Sequence, residues 1–354
     1  YSSHGVTNTV TGRRGSKKNI YGYGGNDQNF PQRSRLAGAW RECIITRKDR
    51  IFFFVDQVSA EDWPVQALAQ NYAALEQMLK GVNRHYIFAS QIFNINIDDL
   101  KFLRDEENIR KGLTTIQQQE DAELKYYLGK KSRHANNYGL QAERMSESIA
   151  IETGKTFPKK GCQQILTVVD GLDPNVKRIF HTYIQNEIFK PEHKLRTQLG
   201  RERQFLGIRN GEKNYSILNE AYAYIPQSIV GDNTGLAVCS LEKCHNYIRQ
   251  DGHDSLCQEP PDRECELLTT FRNTKEAFNR DITFQNGITI NIPLEGAIGY
   301  NWKDKIKLKE YTEDCLIETY RKLKKEYKEL NDLQQQQQEN EIWEEIREQE
   351  ELTA

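Results

Sequence analysis

The stretch Ile51-Phe-Phe-Phe-Val-Asp56-Gln-Val-Ser-Ala-Glu61-Asp-Trp63 decides how this chain is read. Ile51 to Val55 is apolar on both faces of an extended backbone, which predicts a strand inside a sheet rather than at its edge. That strand delivers Asp56 at its end, and Glu61 follows at the start of a predicted helix. A carboxylate at the end of a buried strand can face a substrate; it is also an ordinary turn or cap residue.

Upstream, Trp40 to Thr46 reads as a second strand, joined to the first by Arg47-Lys48-Asp49-Arg50 as a hairpin. Downstream, Ser59 is placed to cap a helix through Leu79, with Pro64 in its first turn. Val65, Leu68, Tyr72, Leu75 and Leu79 recur at spacings of three and four and are assigned to its buried face. Residues 106–157 contain no proline and read largely as helix, with Gly129 and Gly139 as irregular points or ends. Residues 170–260 read as short helical and loop segments punctuated by Pro226, Gly231 and Gly235. Ile288 to Ile298 alternates as a strand that carries the chain to Trp302. From Lys305 the Glu/Lys-rich pattern reads as helix, passes through Gln334 to Gln338 and ends in an acidic tail.

At 354 residues the chain is long enough for about two domains. No uninterrupted apolar run approaches the ~18 residues of a membrane span, and neither a membrane segment nor a secretory leader is predicted. Seven cysteines, an odd and scattered set, predict thiols in a reducing cytoplasm. Cys239, Cys244, His245, Cys257 and Cys265 lack the close second pair of a structural zinc site. The net charge of -2 hides an asymmetry: residues 1–50 carry ten Lys/Arg against three acids, whereas residues 332–354 carry eight acids against Arg347. A basic body suits a polyanion such as nucleic acid, although an unevenly charged solvated surface has the same composition.

The sequence contains no GxxxxGK[ST] or GxGxxG phosphate cradle and no GxSxG elbow. What remains is ionic. Asp251-Gly252 is a turn signal that would present His253-Asp254 at a hairpin tip. Asp56 and Asp254, each at a strand tip, could hold two divalent cations side by side for an in-line phosphoryl transfer. On a helix, Lys130, His134 and Tyr138 advance about 40° per step and share one face. That face could grip a triphosphate through Lys130 and Lys131 and stack a base on Tyr138; a basic helix lying on solvent presents the same stripe.

In order along residues 11–304, these blocks resemble the family A DNA polymerases, the bacterial DNA polymerase I type, and more closely their phage branch. Thr11-Gly12-Arg13 with Asn26-Asp-Gln28-Asn29-Phe-Pro31-Gln-Arg33 resembles segments near the primer-template. Val55 to Trp63 is similar to motif A, and His85 to Phe93 to the block that follows it. Lys130 to Gly139 is similar to motif B on the fingers, Ile225-Pro-Gln227 to the later glutamine segment, and His253 to Leu256 to motif C. Ile292 to Trp302 resembles the closing strand.

The resemblance implies an α+β fold: a right-hand polymerase palm, with a small antiparallel sheet backed by helices, and helical fingers. Residues 1–36 would be a basic loop segment beside primer-template, 37–100 palm with motif A, 101–205 mainly helical fingers, 206–304 palm with motif C, and 305–354 a Glu/Gln-rich helical tail. With ten residues ahead of the first block, thumb and proofreading exonuclease are expected to be absent from this chain. The implied activity is template-directed addition of dNTPs to a primer 3′-OH in phage-type replication. The implied cofactor is a pair of Mg²⁺ ions, with Mn²⁺ as a substitute. The implied partners are primer-template DNA, dNTPs and accessory replication proteins.

Residue by residue, Asp56 and Asp254 would hold the ions. Glu61 would crowd the sugar C2′, His85 approach the triphosphate, and Lys130 contact it. His134 takes the place of the helix's usual aromatic, and Tyr138 that of the residue near the templating base. Arg13, Gln227 and His253 would touch the duplex at the primer end. The pattern is departed from at Gln57-Val58, at Asn83 where an Asp is common, and at Tyr126 where an Arg is usual. It is also departed from at Asn219 and Ala223, and at Ser255 in place of a Glu. Two rivals stand beside this reading: a single-subunit RNA polymerase, which Glu61 opposes, and a primer-template binding fragment without turnover.

Overall fold

The computed structural model describes residues 3–5, 15–17, 37–208, 214–242 and 247–329. Arg13, Gln28, Asn29 and Arg33, with Cys244, His245 and the tail from 330 onward, lie outside the described residues.

The centre of the molecule is a five-stranded antiparallel sheet. Its strands are β1 (Phe52–Gln57), β2 (Ile248–Asp251), β3 (Ser255–Gln258), β4 (Leu294–Gly299) and β5 (Lys305–Lys307), in spatial order β5-β4-β1-β3-β2. The apolar run therefore lies in the middle of the sheet, as its two-sided hydrophobicity requires. Side chains alternate across β1. Phe53 and Val55 join Leu267, Phe271, Ile298, Leu316 and Tyr320 in a buried cluster under α9 (Glu264–Phe278) and the helix over residues 313–329. Phe52, Phe54 and Asp56 take the other face, where Phe54 meets Trp302 edge-on at 6.0 Å.

Ahead of α9 in the chain come α1 (Asp62–Leu68), α2 (Tyr72–Leu79), α3 (Arg84–Phe93), α4 (Ile97–Arg104), α5 (Ile116–Asn137), α6 (Ala142–Thr153), α7 (Lys159–Leu172) and α8 (Tyr215–Glu242), together with further short helical segments. A second apolar cluster binds α5, α6 and α7 through Leu128, Met145, Ile149, Ile165 and Val169. Among the described residues no helix is long and apolar enough to cross a membrane.

Several expectations are corrected. Residues 40–46 are not a strand: Ala37–Glu42 is a short helix, and only an isolated bridge, Ile45 to Asn301, touches the sheet. Strand β1 finds its partners in β3 and β4, far along the chain, so the local hairpin is unnecessary. The helix expected from Ser59 to Leu79 is two helices, broken at Gln70, whose φ is +51°. The break resets the helical phase, so Val65, Leu68 and Leu75 are buried while Tyr72 and Leu79 are exposed. Ser59 has φ +52° and does not cap; Glu61 occupies the N-cap position.

Gly129 is no irregular point, since α5 runs straight through it. It is the place where α5 touches α3, because a Cβ there would sit 2.8 Å from the Ala89 nitrogen and the His85 oxygen. Gly139, at φ +66°, does end the helix. Pro226, Gly231 and Gly235 do not punctuate loops: all three lie inside the 28-residue α8. Burial of Ile225, Ile229 and Val230 outweighs their low propensity. The strand expected over 288–298 is interrupted, since Thr289–Ile290 pairs elsewhere and β4 begins at Leu294 after Pro293. Lys305–Lys307 is an edge strand rather than helix.

Candidate active site

Asp56 sits near the C-terminal end of β1, flanked by Ser255 on β3 and Glu295 on β4 as its register partners. Asp254 precedes Ser255 at the tip of the β2–β3 hairpin, where the Gly252 nitrogen donates to the Ser255 oxygen at 2.7 Å. The Gln57 nitrogen donates to the Asp254 oxygen at 2.9 Å, so the two aspartates lie on adjacent strand ends. The hairpin tip read from Asp251-Gly252 is thereby present, with Asp254 beside Asp56.

Asp56 Oδ1 is buried and has no hydrogen-bond partner among the described residues. Burial, with the charges of Asp254 and Glu295, pushes the Asp56 carboxyl up to about 7, against a partial pull from Lys307. An orphaned carboxylate oxygen beside a second acid suits a hard divalent cation, whose charge would relieve both the desolvation and the repulsion. Among the described residues no cluster of three or more His, Cys, Asp or Glu forms a metal cage. A cation here would therefore meet an aspartate pair rather than an enclosing shell.

Helix α5 begins with a Thr115–Gln118 capping box and carries Lys130, Lys131 and His134 in its last turns. Lys130 is exposed and makes no ion pair among the described residues. Lys131, one position on, is bound to Glu152 of α6 at 2.5 Å. His134 lies between His85 of α3, with centroids 6.4 Å apart, and Tyr138, at 6.3 Å. Burial, with Arg133 next, lowers His134 to about 4; burial and nearby cations also lower His85, so both imidazoles are neutral at pH 7. The Tyr138 hydroxyl donates to Glu61 Oε2, and Glu61 Oε1 lies 3.4 Å from His253 Nε2. A continuous row, His85–His134–Tyr138–Glu61–His253, thus runs along α5 to the hairpin that bears Asp254. Gln227 is partly exposed on α8, with no side-chain hydrogen bond among the described residues.

Two of the departures from the family pattern meet: Asn83 Nδ2 donates to the Tyr126 hydroxyl at 3.0 Å. Tyr126 also stands edge-on to His85 at 5.8 Å and carries the Arg104 guanidinium 3.6 Å from its ring centroid. A neutral pair with a stacked arginine occupies the place where the resemblance implies an acid and a base.

Sequence reasoning missed a buried ionic cluster under this row. Arg84 Nη2 binds Asp173 at 2.6 Å, Arg84 Nη1 binds Asp62 at 3.2 Å, and Arg133 Nη1 lies 3.4 Å from Asp62; all four side chains are almost wholly buried. Burial alone would raise the Asp62 carboxyl, but Arg133 and Arg84, with hydrogen bonds from Asn137 and Gln66, hold it down at about 2. The cluster ties α1, which follows Glu61, to α3 and α5. No spacing in the sequence announces it, since Asp173 lies 89 positions from Arg84 and Asp62 lies 75 from Asn137.

No family model and no curated protein matches the chain. Among solved structures it is similar to the POL domain of Pol1 from M. smegmatis, described in complex with DNA primer-template and dNTP, with a TM-score of 0.63 at 16% sequence identity. That similarity covers 85% of this chain and 48% of the other, so the chain spans about half the length of its structural relative. The fold class is accordingly α+β, a small antiparallel sheet backed by helices in the manner of a polymerase palm and fingers.

Proposed function

We propose that this chain is the palm-and-fingers part of a template-directed DNA polymerase that extends a primer 3′-OH with dNTPs. The observation that carries the reading is the pairing of Asp56 and Asp254 on adjacent strand ends, with a buried, unpartnered carboxylate oxygen. Asp56 and Asp254 are the residues that would hold Mg²⁺ or Mn²⁺. Such ions, when bound, supply charge neutralisation and a more acidic attacking hydroxyl.

The protein's own groups do the positioning. Lys130 offers the uncommitted cation to the triphosphate, whereas Lys131 is held by Glu152. His134 and His85, both neutral, offer ring faces rather than charge. Glu61 is held by the Tyr138 hydroxyl with His253 beside it, so its carboxylate would form a fixed wall beside the sugar and disfavour a 2′-hydroxyl. This favours deoxynucleotides over the RNA polymerase alternative. Tyr138 stands where a templating base would arrive, and Gln227 and His253 face the primer end.

The test is Mg²⁺-dependent primer extension with dNTPs. Asp254→Asn is expected to abolish extension while leaving primer-template affinity within about 3-fold, because phosphate contacts supply most of that affinity. Extension by Asp254→Asn at the wild-type rate would refute the assignment.

A further inference from the structure

Gln57 directly follows Asp56 and, by the alternation of β1, turns to the opposite face of the sheet, where it is 2% exposed. Its amide is divided between two residues of α8. Asn233 Nδ2 donates to Gln57 Oε1 at 2.7 Å, and Gln57 Nε2 donates to Thr234 Oγ1 at 2.9 Å. The Thr234 hydroxyl has two carbonyl acceptors, His253 at 2.8 Å and Val230 at 3.1 Å, the shorter contact reaching the hairpin tip. Arg280 Nη1 donates to Asn233 Oδ1 at 2.6 Å and closes the outer end of the chain. The backbone completes a loop, since the Gln57 nitrogen donates to the Asp254 oxygen.

Asn233 and Thr234 are each 1% exposed. Further along, α8 packs with apolar side chains, Ala237, Val238 and Leu241, in a cluster with Leu256. Polar groups are buried where α8 passes behind Asp56 and Asp254. Burial of such groups is costly unless every bond is made, and a satisfied network holds one geometry where an apolar contact would tolerate several.

We propose that Arg280, Asn233, Gln57 and Thr234 form a positioning network that sets the separation of the Asp56 and Asp254 carboxylates, and so tunes their affinity for divalent cations. None of the four touches substrate. Their effect passes through the β1 end and the 253–254 backbone. The inference rests on reading the two aspartates as metal ligands.

The test measures Mn²⁺ affinity of the full chain by electron paramagnetic resonance of free Mn²⁺, with thermal melting of every variant and primer extension in parallel. Asp56→Asn identifies the binding that belongs to this site. Thr234→Val keeps the shape and removes the hydroxyl; it is expected to weaken Mn²⁺ binding about 10-fold, the usual size of an outer-partner loss. Thr234→Ser, which keeps the hydroxyl, should bind within about 2-fold of wild type. Arg280→Met, at the partly exposed end of the network, should show a smaller loss and serves in place of Thr234→Val if that variant does not fold. A folded Thr234→Val or Arg280→Met with wild-type Mn²⁺ affinity overturns the proposal. So does equal loss in Thr234→Ser and Thr234→Val, or absence of Asp56-dependent Mn²⁺ binding in the wild type. Loss of affinity in the network variants, in a protein that binds Mn²⁺ but does not extend primers, would sustain the positioning role and defeat the polymerase reading.

Discussion

Replacing Asp56 with asparagine should stabilise the protein when no divalent cation is present. The folded chain holds the Asp56 proton more tightly than the unfolded chain, because burial and then the Asp254 and Glu295 charges disfavour the carboxylate. The folded state therefore binds more protons between the ordinary value of 3.8 and about 7, and stability falls as pH rises through that window. At about 1.4 kcal/mol per pH unit, that interval amounts to about 4 kcal/mol of native-state destabilisation at neutral pH. Asparagine removes the charge, keeps the shape and offers an amide donor to the neighbouring acids, so a gain of about 2 to 4 kcal/mol is expected at pH 7.5. Urea unfolding of both proteins in chelator measures it. The gain should shrink below about 1 kcal/mol at pH 4, where the wild-type carboxyl is protonated in the fold. Saturating Mg²⁺ should narrow it at pH 7.5, since an ion that binds only the native wild type stabilises it by mass action. A variant no more stable than wild type at pH 7.5, or one whose gain is the same at pH 4, would refute the reasoning.

Three further outcomes are expected. Asp62→Asn should cost about 3 to 5 kcal/mol at pH 7, because Arg84 and Arg133 lose a shared buried counter-ion. Asp62 runs opposite to Asp56: its depressed value of about 2 gives stability that is present above 3.8 and lost as pH falls through 2, so a urea series down to pH 2 should show the variant's deficit fading. Gly129→Ala should lower the melting temperature: overpacking against backbone atoms of α3 costs about 1 to 3 kcal/mol, more than the ~1 kcal/mol gained in helix propensity. An unchanged or higher melting temperature would show that the α3–α5 contact is looser than described. Glu61→Ala should raise ribonucleotide incorporation relative to dNTP about 10-fold or more in single-nucleotide extension, and unaltered discrimination would remove Glu61 from its role.

The elements legible in the sequence were those whose signal is local. Ile51 to Val55 carries its own evidence of two-sided burial, Asp251-Gly252 carries its own turn, and the Lys130–His134–Tyr138 spacing depends only on the pitch of a helix. These local signals alone point to Asp56, Asp254 and one face of α5. The errors arose where tertiary packing overrode local preference. Pro226, Gly231 and Gly235 break an isolated helix, yet α8 passes through them because it is buried along much of its length. Gly129 read as weakness because the sequence does not reveal that another backbone approaches it.

Which charges face which was beyond the sequence altogether. Lys130 and Lys131 are adjacent and alike in composition, but only the fold pairs Lys131 with Glu152 and leaves Lys130 exposed, with no ion pair among the described residues. The Arg84–Asp62–Arg133–Asp173 cluster and the Gln57 network join residues more than a hundred positions apart. Periodicity reports how one element divides its faces between core and water; it holds no record of the neighbour that fills the other side. The chain thus determined by itself where acids, rings and cations stand along each element, while the folded contacts decided which of them stand together, because electrostatic partnership depends on distance through space and on water excluded between the partners.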